Sequence, residues 1–260
     1  ARCAMHRGGA EALRYRAVQP CDRVELQQLH EVLFPVSYTD DFYDDAAAGV
    51  GLYGNGVLFS AAAFAPVASG EDGASPRAQR GEVMVGVVTA QFFASRDVEE
   101  ENLFDAGAAS RDVMYILTLG VLEEYRRHKI GSRLLQFCMQ HARENAHCGA
   151  VYLHVIDYNV TAQSFYKRHG FRTMRLMPSF YSIAGTPYSA YLLVIHINGF
   201  SPPLAERLRE ALAAAWGVTC RVARAAAEAP SAVLWWCTYR ALLPRLQPVP
   251  TSPPPTPAPR

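Results

Sequence analysis

The run Arg126-Arg127-His128-Lys129, followed at once by Ile130-Gly131-Ser132, gathers cationic side chains at one short turn. The residues before it, Val113 to Val121, are β-branched and apolar without proline, the pattern of a strand; those after it recur with a 3.6-residue period, the pattern of a helix. A strand, a tight turn and a helix start present successive backbone N–H groups at the positive end of a helix dipole, where an anion is favoured. Cations on the same spot point to a phosphate-bearing ligand, and a diphosphate cofactor is the expectation. A second chemical signal lies in Val151-Tyr152-Leu153-His154-Val155, which alternates as a strand and sends Tyr152 and His154 to one face. His154 is a candidate base of near-neutral pKa, although a histidine within a strand is more often a structural hydrogen-bonding group. Tyr115 opens the strand before the basic turn and by itself reads as a sheet-edge aromatic.

The chain around these residues has 260 positions, 50% of them hydrophobic, enough for a full core and an appendage. Its formal net charge of +1 argues against a nucleic-acid protein, which usually carries a basic surplus. Six cysteines, at 3, 21, 138, 148, 220 and 237, form no C-x-x-C or His/Cys cluster of zinc type, so no metal is expected and the thiols are read as reduced, in a cytosolic setting. Cys138 falls at helical spacing with Leu134, Leu135, Met139 and Ala142, which makes it a packing residue rather than a nucleophile. No apolar stretch reaches the roughly 20 residues of a membrane-spanning helix, and no secretory leader pattern is read.

The elements that must position the site follow in order. Residues 1–12 lack periodicity and read as a flexible lead-in. A short strand is expected at Leu13 to Ala17, then a helix capped by Asp22 that runs through Val24, Leu26, Leu29 and Leu33 and stops before Phe34-Pro35. A second helix is expected over Asp41 to Ala48. Strands at Val57 to Phe64 and Val83 to Phe93 flank Ser69 to Gly81, read as a long mobile hairpin connection, and Asp97 to Arg111 is a polar loop. The helix beyond Gly131 buries Ile130, Leu134, Cys138 and Ala142 and is expected to end at Cys148-Gly149. Asn159 caps a helix that closes at Gly170, and strands at Phe171 to Tyr181 and Tyr188 to Ile197 complete the set. Alternating elements in the middle with strands at the flanks give a mixed α/β fold, a central sheet with helices on both faces.

The segment Arg126-x-x-Lys129-x-Gly131 after Leu119-Gly120-Val121 resembles the acyl-CoA signature of the GNAT acetyltransferases, Arg/Gln-x-x-Gly-x-Gly/Ala, with Lys129 in the place of its first glycine. In left-handed geometry a lysine costs about 1–2 kcal/mol there, which pairing with phosphate would partly offset. More specific are Phe34-Pro35-Val36-Ser37-Tyr38, Tyr115 to Val121, Val151-Tyr152-Leu153-His154-Val155, Asn159 to Tyr166 and Pro178-Ser179-Phe180-Tyr181-Ser182-Ile183. Together they are similar to the NatF-type N-terminal acetyltransferases, over roughly Leu13 to Pro203.

That resemblance implies a sheet splayed between two middle strands and transfer of acetyl from acetyl-CoA to the α-amino group of proteins that retain their initiator Met. It implies Tyr115 and His154 as catalytic residues. It places Leu119, Gly120 and Val121 along the pantetheine arm, Arg126, Arg127, His128, Lys129, Ile130, Gly131 and Ser132 at the pyrophosphate, and Asn159, Tyr166, Lys167, Arg168 and His169 at the rest of the cofactor. It assigns the pocket for the substrate's first residues to Phe34, Pro35, Tyr38, Leu117 and Tyr181. The family often has an acidic residue where Ser37 stands, so a basic second residue in the substrate is expected to be disfavoured.

Beyond a domain expected to span 13–199, the stretch 200–247 places Leu204, Leu208, Leu212 and Trp216 on one helical face. A second run there mixes Arg221, Arg224, Arg240 and Arg245 with Trp235, Trp236 and Leu242, interrupted by Pro230. Arginine beside tryptophan and leucine suits a helix lying in a lipid interface; the alternative is packing back on the catalytic domain. The resemblance implies a peripheral protein on the cytosolic face of a Golgi or plasma membrane, with membrane proteins bearing cytosolic N-termini among its substrates. Residues 248–260 have the composition of a disordered tail. Two other readings stay open on the sequence: a lysine (histone) acetyltransferase, and an inactive CoA-binding membrane scaffold.

Overall fold

A computed structural model describes residues 13–36, 38–51, 57–66, 81–98, 100, 103, 111–204, 207–208 and 211–213. It divides into a unit reaching Pro203 and a second beginning at Leu204. Ser37, the flexible lead-in, the connection within 67–80, most of the polar loop before Arg111, and the chain from 214 onward, with its Pro230 break, basic aromatic run and proline-rich tail, lie outside the described residues.

Seven strands form one sheet in the order β1-β2-β3-β4-β5-β7-β6. They are β1 (Arg14–Ala17), β2 (Leu58–Pro66), β3 (Glu82–Ala94), β4 (Asp112–Val121), β5 (Cys148–Ile156), β6 (Arg172–Ile183) and β7 (Thr186–His196). Every neighbouring pair is antiparallel except β4 and β5. That parallel pair is joined by the helix at Ile130–Glu144, as a parallel connection requires. The mixed α/β expectation holds.

Helices α1 (Arg23–Leu33) and α2 (Asp40–Ala48) cover one face, where Leu26, Leu29, Phe42 and Ala46 pack on Ala62, Phe64, Met84 and Val87. Helix α3 (Ile130–Glu144) covers the other, where Ile130, Leu134, Cys138 and Ala142 pack on Ala61, Ala63, Val85 and Val88. Period-two alternation along β2 and β3 supplies both cores at once, which is why these strands read as continuous apolar runs. Helix α4 (Val160–Arg168) is capped as its sequence predicts: the Asn159 carboxamide oxygen accepts from the Ala162 N–H at 3.0 Å, and Gly170 follows at φ 91°.

Two local expectations are corrected. Asp22 precedes α1, but its carboxylate makes no cap bond to that helix; it is fully buried, paired with the Arg16 guanidinium and accepting from the Gln19 N–H at 2.9 Å. A buried carboxylate needs a full complement of donors, and the β1 arginine is the stronger partner. Helix α3 ends at Glu144, because Asn145 turns the chain: its carbonyl accepts from the Cys148 N–H at 2.9 Å and its side chain from the His147 N–H at 3.0 Å. Cys148 and Gly149 therefore open β5 instead of closing the helix.

The pairing of β4 with β5 positions the site. Register partners run Asp112 with Cys148, Val113 with Ala150, Met114 with Val151 and Tyr115 with Tyr152, and there they stop. β3 holds β4 as far as Val121 and β7 holds β5 as far as Ile156, so each strand continues with a different neighbour and a wedge opens between them. Within β4, Thr118 faces Thr89 and Ile116 faces Ala90, leaving Leu117 as the extra residue of a bulge.

Candidate active site

The apex of the wedge carries Tyr115 and His154. The His154 side chain is 3% exposed, and its ring nitrogens are both engaged: Nε2 lies 2.8 Å from Glu100 Oε1 and Nδ1 lies 3.2 Å from the Tyr115 hydroxyl. Because a carboxylate only accepts, Nε2 carries the proton and Nδ1 offers its lone pair to the Tyr115 O–H. The second oxygen of Glu100 is paired with the Arg175 guanidinium on β6. Tyr115, His154, Glu100 and Arg175 thus form a single chain of charge-assisted hydrogen bonds. Burial lowers the His154 pKa below the usual imidazole value; the Glu100 carboxylate opposes that shift and Arg175 adds to it. The ring is therefore neutral at pH 7, as a base must be. Burial raises the Tyr115 phenol well above its ordinary value, with Tyr181, Tyr152, Tyr38 and Glu100 adding to the shift. It serves as a hydroxyl, and cannot itself be the base.

Glu100, Arg175 and Phe180 are absent from the candidates that sequence reasoning supplies. Glu100 sits in the polar loop among Glu99 and Glu101, and an acidic triplet carries no sign of which member turns inward. Leu103 is buried with Val113, Tyr152 and Leu192, and its carbonyl accepts from His196 Nε2 at 2.8 Å, an anchor three residues from Glu100. Phe180 comes from a wide irregularity in β6, where register passes from Met177 opposite Ala190 to Tyr181 opposite Tyr188 and Ser179 takes φ 54°. The extra residues lay the Phe180 ring on His154, centroids 4.0 Å apart and 22° between planes. With Phe180 on its face, His154 meets the cleft through the Tyr115 hydroxyl, which stands beside Tyr38 and Tyr181.

The five residues assigned to the substrate pocket come from three elements. Phe34, Pro35 and Tyr38 follow α1, Leu117 is the bulged residue of β4, and Tyr181 returns from β6 to donate to the His154 carbonyl at 3.3 Å. Burial raises both Tyr38 and Tyr181 to about 12, so each remains a neutral donor. Gly120 is there for Phe34 as much as for a cofactor: a Cβ on it would lie 2.7 Å from Leu33 Cδ1 and 3.0 Å from Phe34 Cζ.

The basic turn offers donors and cations to a diphosphate. Lys129 is the N-cap of α3 at φ 61°, ψ 11°, and Arg127 is also left-handed at φ 70°. The first intrahelical bond runs from the Arg133 N–H to the Lys129 carbonyl, so the N–H groups of Lys129, Ile130, Gly131 and Ser132 have no intrahelical acceptor. Arg127, His128 and Lys129 are exposed around these donors. The residues fit a phosphate group. Three assignments change in detail. The Arg126 Nε donates to the Val121 carbonyl at 3.2 Å, which ties that guanidinium to the turn. His169 donates through Nδ1 to the Phe165 carbonyl at 2.8 Å, so its Nε2 accepts from the Ser132 hydroxyl at 3.1 Å, and Ser132 has its N–H rather than its O–H to offer. Tyr166 is 6% exposed and packed edge-on against Phe165 and Phe171, so its ring is part of the core beside the α3 turn. Asn159, Lys167 and Arg168 are exposed at the two ends of α4. Among the described residues no group of three or more His, Cys, Asp or Glu could hold a metal.

Residues 24–171 match the acetyltransferase (GNAT) family. The chain belongs to the GNAT acetyltransferases. It is 34% identical over 194 residues to a histone acetyltransferase, MCC1, of Arabidopsis thaliana, covering 74% of this chain and 73% of that protein. It is 34% identical over 175 residues to N-alpha-acetyltransferase 60 of Danio rerio, covering 65% of this chain and 64% of that protein. Among solved structures, Arabidopsis thaliana NAA60 in complex with acetyl-CoA superposes with a TM-score of 0.60 at 31% identity, covering 72% of this chain and all of that one (100%).

The hydrogen-bond chain and the basic turn each make one outcome testable in this GNAT enzyme. Glu100→Gln removes the partner that stabilises an imidazolium and raises the His154 pKa. Maximal turnover is expected to fall about 10–100-fold, with the acid limb of the rate profile moving to lower pH; an unchanged profile would mean His154 takes no proton. Lys129→Gly relieves left-handed strain of about 1–2 kcal/mol and is expected to leave acetyl-CoA affinity equal or improved on calorimetric titration. A large loss would show that the ammonium is a phosphate ligand worth more than the strain.

Proposed function

We propose that this chain is an N-alpha-acetyltransferase that moves acetyl from acetyl-CoA to the N-terminal amine of proteins beginning with a retained Met followed by Leu, Val, Ile, Phe or Lys. The observation that carries the reading is the hydroxyl of Tyr115, bound to the neutral Nδ1 of His154 and flanked by Tyr38 and Tyr181 where the two central strands part. Acetyl-CoA supplies an activated thioester, which only an uncharged amine attacks. An α-ammonium has a pKa near 7.7–8.0 and must first lose a proton. Tyr115 accepts that proton on its oxygen while passing its own to His154 Nδ1, and Glu100, braced by Arg175, holds the resulting positive charge. Two short transfers replace one long one, so the imidazole stays out of water. The similarity to proteins named N-alpha-acetyltransferase 60 supports the amine acceptor.

A second reading, transfer to a lysine side chain, draws on the similarity to the Arabidopsis protein named a histone acetyltransferase. A pocket walled by Phe34, Tyr38 and Tyr181 favours a chain terminus, which enters end-on, over a lysine stem presented from the middle of a peptide.

The same reading places the enzyme peripherally on the cytosolic face of a Golgi or plasma membrane, where membrane proteins with cytosolic N-termini are substrates. In the second unit, Leu204, Leu208 and Leu212 are helical, spaced four apart, and 56%, 55% and 71% exposed. Three leucines on one face suit the headgroup boundary. No helix among the described residues is long and apolar enough to cross a bilayer.

Mass spectrometry of a Met-x peptide library with acetyl-CoA tests the activity: N-terminal acetylation by the native enzyme, lost in His154→Ala, is expected, with Met-Leu and Met-Val ahead of Met-Lys because position 37 is Ser. Acetylation confined to N-blocked, lysine-containing peptides would replace this reading with the second. Flotation with anionic liposomes tests the location. The full chain should float, and Leu204→Glu/Leu208→Glu/Leu212→Glu should remain at the bottom of the gradient; equal flotation would remove these leucines from the membrane contact.

A further inference from the structure

His30 takes no part in the proton path, yet it is among the most deeply buried polar side chains of the fold, 1% exposed on the last turn of α1. Its Nδ1 lies 2.9 Å from the Leu26 carbonyl, four residues back, and its Nε2 lies 3.2 Å from Thr118 Oγ1 on β4. Thr118 Oγ1 is in turn 2.7 Å from Thr89 Oγ1 on β3. All three side chains are buried, at 1%, 3% and 0% exposure.

The carbonyl can only accept, so Nδ1 holds the proton of a neutral ring, Nε2 accepts from Thr118, and Thr118 accepts from Thr89. The direction of every bond is determined. Burial keeps the imidazole neutral by lowering its pKa, and among the described residues no carboxylate acts on it: the rings of Phe34, Tyr38, Phe42 and Tyr43 surround it, with centroids 5.1 to 5.6 Å away.

Two of those rings, Phe34 and Tyr38, are walls of the pocket assigned to the substrate's first residue. Leu117, another residue assigned to that pocket, immediately precedes Thr118, and it is the unpaired residue of the β4 bulge. One imidazole therefore touches the loop that closes the pocket from α1 and hydrogen-bonds to the residue that pins the bulge from β4. An apolar side chain of similar size would fill the same volume but leave the Thr118 hydroxyl with no acceptor on the helix, and the bulge free to shift.

We propose that His30 is a specificity-determining positioning residue, which sets the width of the first-residue pocket by holding the Phe34 and Tyr38 rings in place relative to the Leu117 bulge through Thr118 and Thr89. It does not touch the reacting atoms. The assignment rests on the pocket reading above, and the neutral hydrogen-bond chain is what carries it.

The test is steady-state kinetics of the full chain with acetyl-CoA and the peptide that the native enzyme acetylates best, for His30→Leu, His30→Gln and Thr118→Val. His30→Leu and Thr118→Val are expected to raise the peptide KM about tenfold, in line with the loss of one buried hydrogen bond, and to narrow the preference for Met over Ala as first residue. The KM for acetyl-CoA should stay within about twofold and turnover within about threefold. His30→Gln keeps an acceptor for Thr118 and should restore most of the peptide affinity. An unchanged peptide KM overturns the proposal. So does a parallel loss of turnover and of both KM values with a lowered Tm, which would make His30 a packing residue. If His30→Leu does not fold, the isosteric Thr118→Val carries the comparison. Should the native enzyme acetylate lysine peptides alone, the N-terminal reading falls, while the same KM split measured on the lysine peptide still decides the role of His30.

Discussion

Two parallel strands that share hydrogen bonds only as far as Tyr115 and Tyr152 leave the facing edges of both beyond that point without each other. Backbone N–H and C=O groups need partners, and a thin ligand with amide groups of its own can lie there as an added strand. The rest of the sheet maintains the split. β3 grips β4 to its end and β7 grips β5 to its end. The bulge at Leu117 adds local twist to β4 just where it leaves its parallel neighbour.

On either side of that wedge stands a buried histidine, and the two are used in opposite ways. His154 is joined to a carboxylate, so it can gain a proton without leaving an uncompensated charge in the interior. His30 is joined to hydroxyls and a carbonyl and ringed by aromatics, so a positive charge there would have no counter-ion. Low local polarity strengthens satisfied bonds and penalises unsatisfied ones. The partners, rather than the imidazoles, decide which ring moves protons and which holds position.

Much of the fold is legible in particular residues. The uninterrupted run from Val113 to Val121 is a strand because nothing in it can turn, and Leu134, Leu135, Cys138 and Ala142 recur at a spacing that only a helix face satisfies. Asn159 caps its helix because a short carboxamide reaches the third N–H. Lys129 was legible as a residue in a glycine's place, and its left-handed backbone follows from the turn. Where sequence reading erred, another partner took the place of the expected one. Asp22 has the chemistry of a cap, but Arg16 is a better match for a buried carboxylate. Ser132 has a hydroxyl for phosphate, but His169 takes its hydrogen.

The sequence alone determines the element order, the two-faced cores, the basic turn before α3 and the presence of Tyr115 and His154 on neighbouring strands, since each depends on periodicity or on residues close in the chain. Only the tertiary structure decides that Glu100 and Arg175 complete the proton path, that Phe180 covers the imidazole, and that His30 meets Thr118. Those contacts join residues separated by long stretches of chain, and one acidic residue in a polar loop looks like any other until the loop is anchored. Local rules describe what a residue can do; the fold selects which neighbour it does it with.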